Sequence, residues 1–161
     1  MKVSISHFPP IHAAADACPT VALRMYPVFP QMNRVALVNT ILPTGGGSDG
    51  KSPIFAPAGT GFDTSWYNLH RLKTVWGEDA NDFKPERWET FKPETWQYLP
   101  FGGGPRSCLG RTKALVEASY VIVRLMRDFG HIESRDDRDW TGQVQLTAKN
   151  ANGCKIAFRV A

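Results

Sequence analysis

Cys108 lies in the run Phe101-Gly102-Gly103-Gly104-Pro105-Arg106-Ser107-Cys108-Leu109-Gly110, a cysteine held in a glycine-rich loop. Directly behind it Leu115, Ala118, Ile122, Leu125 and Phe129 recur at intervals of 3 and 4, the spacing of one apolar helix face. Gly130 supplies a stop. The cysteine is therefore expected at or just before a helix N-terminus. Unpaired backbone N–H groups and the positive end of the helix dipole favour a thiolate there. Arg106 and Arg111 add positive charge. The glycines lack Cβ atoms, so the backbone can turn sharply and a flat group can lie against it. Three chemistries suit this combination: a thiolate ligand to haem iron, a nucleophilic cysteine and a phosphate cradle. The ordinary alternative is a buried cysteine with no chemical role.

Spacing separates these. A Walker loop needs glycine, four residues, then Gly-Lys-Ser/Thr; five positions after Gly104 stands Leu109. The dinucleotide pattern Gly-x-Gly-x-x-Gly fails because Gly102 and Gly104 are followed by Ser107. A phosphatase-type loop wants arginine six residues after the cysteine, and position 114 is alanine. A cysteine hydrolase needs a histidine base. His7, His12, His70 and His131 are all distant in sequence, which leaves that reading open because distance in sequence does not exclude contact in space.

The order Phe-x-x-Gly-x-Arg-x-Cys-x-Gly is complete in Phe101, Gly104, Arg106, Cys108 and Gly110. It resembles the haem-thiolate loop of the cytochromes P450. The resemblance implies that Cys108 is the iron ligand, that Arg106 meets a haem propionate and that Phe101 packs near the sulfur, with Gly110 completing the cofactor-binding loop. An anionic sulfur ligand pushes electron density onto iron and favours O–O cleavage. Amide donors around the sulfur tune that push.

The elements that must position this loop can be read in chain order. Met1 to Pro19 has no clear period and reads as a loosely ordered lead-in with a short helix near His12–Ala17. His7 and His12 read as solvent-exposed. Val21 to Tyr26 reads as the end of a helix stopped by Pro27. Here the resemblance continues: the family pattern Glu-x-x-Arg followed by Tyr-Pro is met at Arg24 and Tyr26-Pro27, while its glutamate position is Val21. Arg24 thus needs a new partner or water, because a buried unpaired guanidinium is costly.

Val35 to Leu42 is apolar and β-branched and predicts one strand, joined by the glycine-rich turn Pro43–Pro53 to Ile54-Phe55-Ala56 as a hairpin. By resemblance, Arg34 before that strand reaches a haem propionate. Asp63 or Thr64 is expected to cap a short helix over Thr64–Leu72. His70 reads as a packing or hydrogen-bonding histidine. Pro85-Glu86-Arg87-Trp88 resembles the family element before the cysteine loop and makes Arg87 a structural partner of Arg24. Trp88 to Pro100 reads as an irregular packed loop delivering Phe101. After the long helix, His131–Glu133, Val144–Leu146 and Ile156–Phe158 read as short strands, with Asp136–Asp139 a solvated turn and Cys154 in a turn beside Gly153.

Composition sets the frame. With 161 residues, 42% hydrophobic and 21% charged, the chain is long enough for one globular domain. Cys18, Cys108 and Cys154 form no C-x-x-C pair, which argues against structural zinc and a disulfide scaffold. The net charge of +4 comes from dispersed Lys and Arg mixed with acids, not the clustered pattern of a nucleic-acid binder. Arg106, Arg111 and Lys113 form a basic cluster beside the cysteine, suited to an acidic electron donor. No apolar run reaches the roughly 18 residues of a membrane span.

The fold expected is mainly α with small β-hairpins (α+β), an incomplete C-terminal part of the cytochrome P450 fold over residues 21–161 behind an unrelated, poorly ordered lead-in over 1–20. The resemblance, which is to the fungal microsomal type, implies haem b (iron protoporphyrin IX), electrons from NADPH through a reductase, and hydroxylation of a small lipophilic substrate. It implies the endoplasmic reticulum membrane as location, whereas the chain alone, with no anchor, would be cytoplasmic. The family's distal helix with its acid–alcohol pair has no counterpart, so a truncated and inactive fragment is expected. A standalone haem-binding module and a cysteine-dependent enzyme without haem are the alternatives.

Overall fold

A computed structural model describes residues 11–160, with side chains from Cys18 onward. Much of the expected lead-in, His7 included, and the side chain of His12 lie outside the described residues. The first element is one helix, α1 (Ile11–Met25), which runs through Pro19. The short helix near His12 and the helical end before Pro27 are therefore one element. Pro19 contributes no N–H to it. The Tyr26 N–H bonds the Ala22 carbonyl at 2.7 Å, and Pro27 follows the close.

Residues Gln31–Ser65 form a compact unit of their own. It holds β1 (Gln31–Val35), β2 (Thr40–Gly46), β3 (Ser52–Ala56) and β4 (Gly61–Ser65). β1 pairs with β4 and β2 with β3, both antiparallel. Gln31 faces Ser65 and Thr40 faces Ala56, so one register runs from the first pair into the second as far as Leu42 facing Ile54, and it shifts before Gly46 faces Ser52. The hairpin around the glycine turn is as expected. The single strand over Val35–Leu42 is not: it breaks at Ala36–Asn39, with Leu37 90% exposed. The cause lies across the ladder. Pro57-Ala58-Gly59 interrupts the facing strand, with Gly59 at φ 89°, and Asn39 Oδ1 accepts the Ala58 N–H at 2.9 Å. Asp63 and Thr64 are not helix caps either. They pair with Asn33 and Met32 inside β4, and the helix starts only after that strand ends.

The other unit comprises the chain up to Pro30 and from Trp66 to the end. After α1 it contains three one-turn helices, α2 (Trp66–Leu69), α3 (Lys73–Trp76) and α4 (Arg87–Thr90), then the long α5 (Arg111–Asp128). The short strands β5 (His131–Ser134), β6 (Gly142–Val144), β7 (Ala148–Asn150) and β8 (Ile156–Arg159) close it, β5 pairing with β8 and β6 with β7. The mixture of helices and small antiparallel sheets matches the α+β expectation. α5 packs along α1.

The core of this unit is an aromatic cluster. Trp76, 2% exposed, sits 5.3 Å from Phe91, 5.8 Å from Trp88 and 6.3 Å from Tyr98, measured between ring centroids. The edge-on tilt of Trp76 against Trp88 and Tyr98 is the arrangement that ring quadrupoles favour. Val21, Met25 and Ala80 are buried with them. So are Arg24 and His70, at 1% and 0% exposure, which makes the polar groups of this core as informative as its apolar ones.

Candidate functional site

The irregular segment after α4 delivers Phe101 into a loop built from tight turns. The Gly102 N–H bonds the Leu99 carbonyl at 3.1 Å, and the Ser107 N–H bonds the Gly104 carbonyl at 3.1 Å across a 3-10 turn over Gly104–Arg106. The Cys108 N–H then bonds the Phe101 carbonyl at 2.9 Å, so the first and eighth residues of the motif meet. Two positions require glycine. Gly102 and Gly104 have φ of 72° and 70°, the left-handed region that a side chain resists. Gly103 is held for another reason: a Cβ there would lie 2.6 Å from the Trp96 ring.

Cys108 is a free, exposed thiol. Gly110 is the N-cap of α5, and a Cβ on it would sit 3.7 Å from the Cys108 sulfur, an ordinary contact. Its φ of −82° is one any residue adopts, so neither backbone conformation nor crowding requires glycine at 110. Among the described residues, the N–H groups of Leu109, Gly110 and Arg111 to Lys113 find no backbone carbonyl, and the first intrahelical bond runs from the Ala114 N–H to the Gly110 carbonyl at 2.9 Å. The sulfur thus stands at the amide-rich end of an 18-residue helix. Arg106 is exposed and has no partner among the described residues. Phe101 is half-buried. An open cavity of about 350 Å³ lies beside the loop, lined by Trp96, Tyr98, Leu99 and the three glycines among others.

Arg34 lies on β1, in the other unit, exposed and donating to the Asn33 carbonyl at 2.8 Å.

Beneath the loop, the two other arginines singled out from the sequence are brought together with the aromatic core. Arg24 projects from the last turn of α1 with its guanidinium 5.1 Å from the Trp76 ring centre. Val21, where a carboxylate was missing, is buried one turn earlier. Its place is taken by carbonyls: Arg24 donates to His70 O at 2.8 Å, Ala80 O at 2.6 Å and Asp82 O at 3.0 Å. Burial, and then the nearby Arg87 and Arg71, pull the guanidinium down to about 10, and it stays charged. Arg87 donates to Trp76 O at 2.6 Å and pairs with Asp79 at 2.8 Å. Hydrogen bonds from Lys84 and Arg87 hold the Asp79 carboxylate down to about 2. The buried Nε of both Arg24 and Arg87 lacks a partner.

Sequence reasoning missed Asp79 as the acid of this cluster. It stands in an ordinary Gly-Glu-Asp turn, and no spacing rule links it to Lys84 and Arg87. His70, expected to pack or to hydrogen-bond, does both: its ring lies 5.3 Å from the Tyr98 ring and its Nε2 accepts the Leu99 N–H at 2.8 Å.

A family profile for Cytochrome P450 matches residues 20–154. Cytochrome P450 52A3-A of Candida maltosa is 56% identical over 140 residues, covering 85% of this chain and 27% of its own length. Cytochrome P450 monooxygenase g430 of a Fusarium species is 53% identical over 136 residues, 83% of this chain and 24% of its own. Cytochrome P450 monooxygenase fsdH of Fusarium heterosporum is 46% identical over 142 residues, 88% and 25%. The chain belongs to the cytochrome P450 family, and the relatives named here are fungal. It spans about a quarter of the length of the curated relatives it matches.

Proposed function

We propose that this chain is the thiolate side of a cytochrome P450 monooxygenase, the C-terminal part of that fold, in which Cys108 would hold the iron of haem b. The observation that carries the reading is the exposed, free Cys108 just before the N-terminus of α5. The donor set fits a flat, metal-bearing, anionic macrocycle. The thiolate suits iron, the partnerless Arg106 suits a carboxylate, and the free amides of the first turn of α5 lie at the sulfur's end of the helix. Arg34 is assigned to a haem propionate by the family pattern, and Phe101 to packing near the sulfur. When bound, haem supplies oxygen activation driven by the electron-rich sulfur. The chain's own residues hold the sulfur outward, keep the loop closed and offer positive charge.

The remaining functional reading is the family's: electrons from an NADPH-dependent reductase, a small lipophilic substrate and hydroxylation at the endoplasmic reticulum membrane. No helix among the described residues is long and apolar enough to cross a membrane. Residues 1–20 remain a separate lead-in on this reading and 21–161 the P450 portion. α1 runs unbroken through that point, so the boundary is one of sequence and not of secondary structure. This chain by itself is expected to bind haem and not to hydroxylate, because water exclusion and proton delivery on the far face need residues it does not supply. A cysteine-dependent enzyme is less well supported, since His70, the buried histidine, spends Nε2 on a backbone N–H.

Haem titration of the purified chain, followed by reduction and carbon monoxide, tests the reading. The expected result is the red-shifted Soret band of thiolate ligation, absent in Cys108→Ser. A band that survives in Cys108→Ser, or no haem uptake by the wild type, overturns it. Turnover by the chain with reductase and NADPH would overturn the proposed inactivity alone.

A further inference from the structure

We infer that His70 is the positioning residue of the cysteine loop, holding it through the backbone N–H of Leu99. The inference deepens the reading above and rests on it for what the loop does, though not for how the loop is held.

The histidine is itself rigidly placed. It is wholly buried, its N–H bonds the Trp66 carbonyl at 3.0 Å, and its own carbonyl takes the Arg24 guanidinium at 2.8 Å. The imidazole lies 6.5 Å from the Trp76 ring, edge-on, and 5.3 Å from the Tyr98 ring. Because Nε2 accepts the Leu99 N–H at 2.8 Å, it carries no proton, and the neutral ring keeps its hydrogen on Nδ1. Burial holds the imidazole down to about 4, so the accepting form persists at neutral pH.

A relay leads from there to the sulfur. The Leu99 carbonyl takes the Gly102 N–H at 3.1 Å, and the Phe101 carbonyl takes the Cys108 N–H at 2.9 Å. Next to Leu99, the Tyr98 hydroxyl donates to the Thr20 carbonyl on α1 at 2.9 Å. The loop's entry is thus pinned at two successive residues. Past it, no side chain from Pro100 to Gly110 makes a hydrogen bond among the described residues, and residues 104–110 are exposed. The placement of Cys108 therefore rests on the entry on one side and on the start of α5 on the other. Of the two pins, only the one at His70 ties the backbone itself.

A histidine that merely filled space would be replaced adequately by leucine. One that acts as an acceptor would be replaced by glutamine, whose amide oxygen can take the same N–H, and not by leucine. The experiment compares His70→Leu with His70→Gln in the haem-free chain by amide hydrogen exchange. In His70→Leu the Leu99, Gly102 and Cys108 amides are expected to exchange about tenfold faster, the order of one hydrogen bond, while Trp76 and mid-α5 amides do not change. In His70→Gln the same three amides stay within about threefold of wild type. Equal loss in both variants, or unchanged Leu99 exchange in His70→Leu, overturns the inference. Should His70→Leu not fold, the wild-type imidazole nitrogen shifts decide: the proton on Nδ1 supports the inference and the proton on Nε2 overturns it. Haem added to the same proteins separates the two claims. Rapid exchange in His70→Leu with no thiolate-type band even in wild type sinks the haem reading and leaves the positioning role standing.

Discussion

The Trp76 cluster and α5 belong to one unit, yet they are closed to different degrees. Around Trp76, every partner comes from within the chain: Arg24 reaches carbonyls 46, 56 and 58 residues away, and His70 takes the Leu99 amide. α5 has no buried residue, and Val116 and Tyr120 are 62% and 64% exposed. Its Leu115, Ala118, Ile122, Leu125 and Phe129 are only half-covered. The difference shows which part of this chain meets more of its own packing and hydrogen-bonding needs. The cluster beside the cysteine loop draws most of its polar partners from carbonyls on turns distant in sequence, whereas the apolar faces of α5 have no full cover among the described residues. Exposed apolar area of this kind favours association.

The sharpest way to break that comparison is Arg24→Met. It leaves three carbonyls without their donor, two of them in buried bonds, and a loss on the order of 3–5 kcal/mol is expected from urea unfolding. A loss below about 1 kcal/mol would mean that the carbonyls rehydrate and that the cluster is no more closed than α5.

A change of pH probes the same cluster more gently. His70 has its folded value lowered from 6.5 to about 4, so the unfolded chain binds more protons between those values. Stability is full above about 6.5 and falls as pH drops toward 4. Asp79, depressed from 3.8 to about 2, adds a second loss as pH falls through that lower window. Thermal melts should show the upper limb disappear in His70→Gln and the lower limb shrink in Asp79→Asn. An unchanged upper limb in His70→Gln would assign that titration elsewhere.

The smallest expected effect sharpens the other side. Val116→Gln and Tyr120→Gln together should alter stability by no more than about 0.5 kcal/mol each while reducing light scattering at high concentration. A large loss of stability would show those side chains to be packed.

The cysteine loop was legible because its information is local. Ten consecutive residues name the turns, the sulfur and the helix behind it, and the glycines at 102 and 104 sit where positive φ demands them. α5 was legible for the same reason, since its 3- and 4-residue recurrence is its packing. The strand over Val35–Leu42 misled because its break comes from Pro57-Ala58-Gly59 on the facing strand, a non-local cause. Asp63 and Thr64 misled because cap-forming residues are equally at home at the end of a strand.

By itself, the order of residues determined the turns around Cys108 and the helix that follows them, because both depend on neighbours within a few turns of chain. Only the tertiary structure decided what balances Arg24 once Val21 stands in the acid's place, and what holds Leu99. Those partners are backbone carbonyls and a histidine nitrogen from distant turns. Every residue carries such a carbonyl, so no residue type announces which ones will face a buried charge.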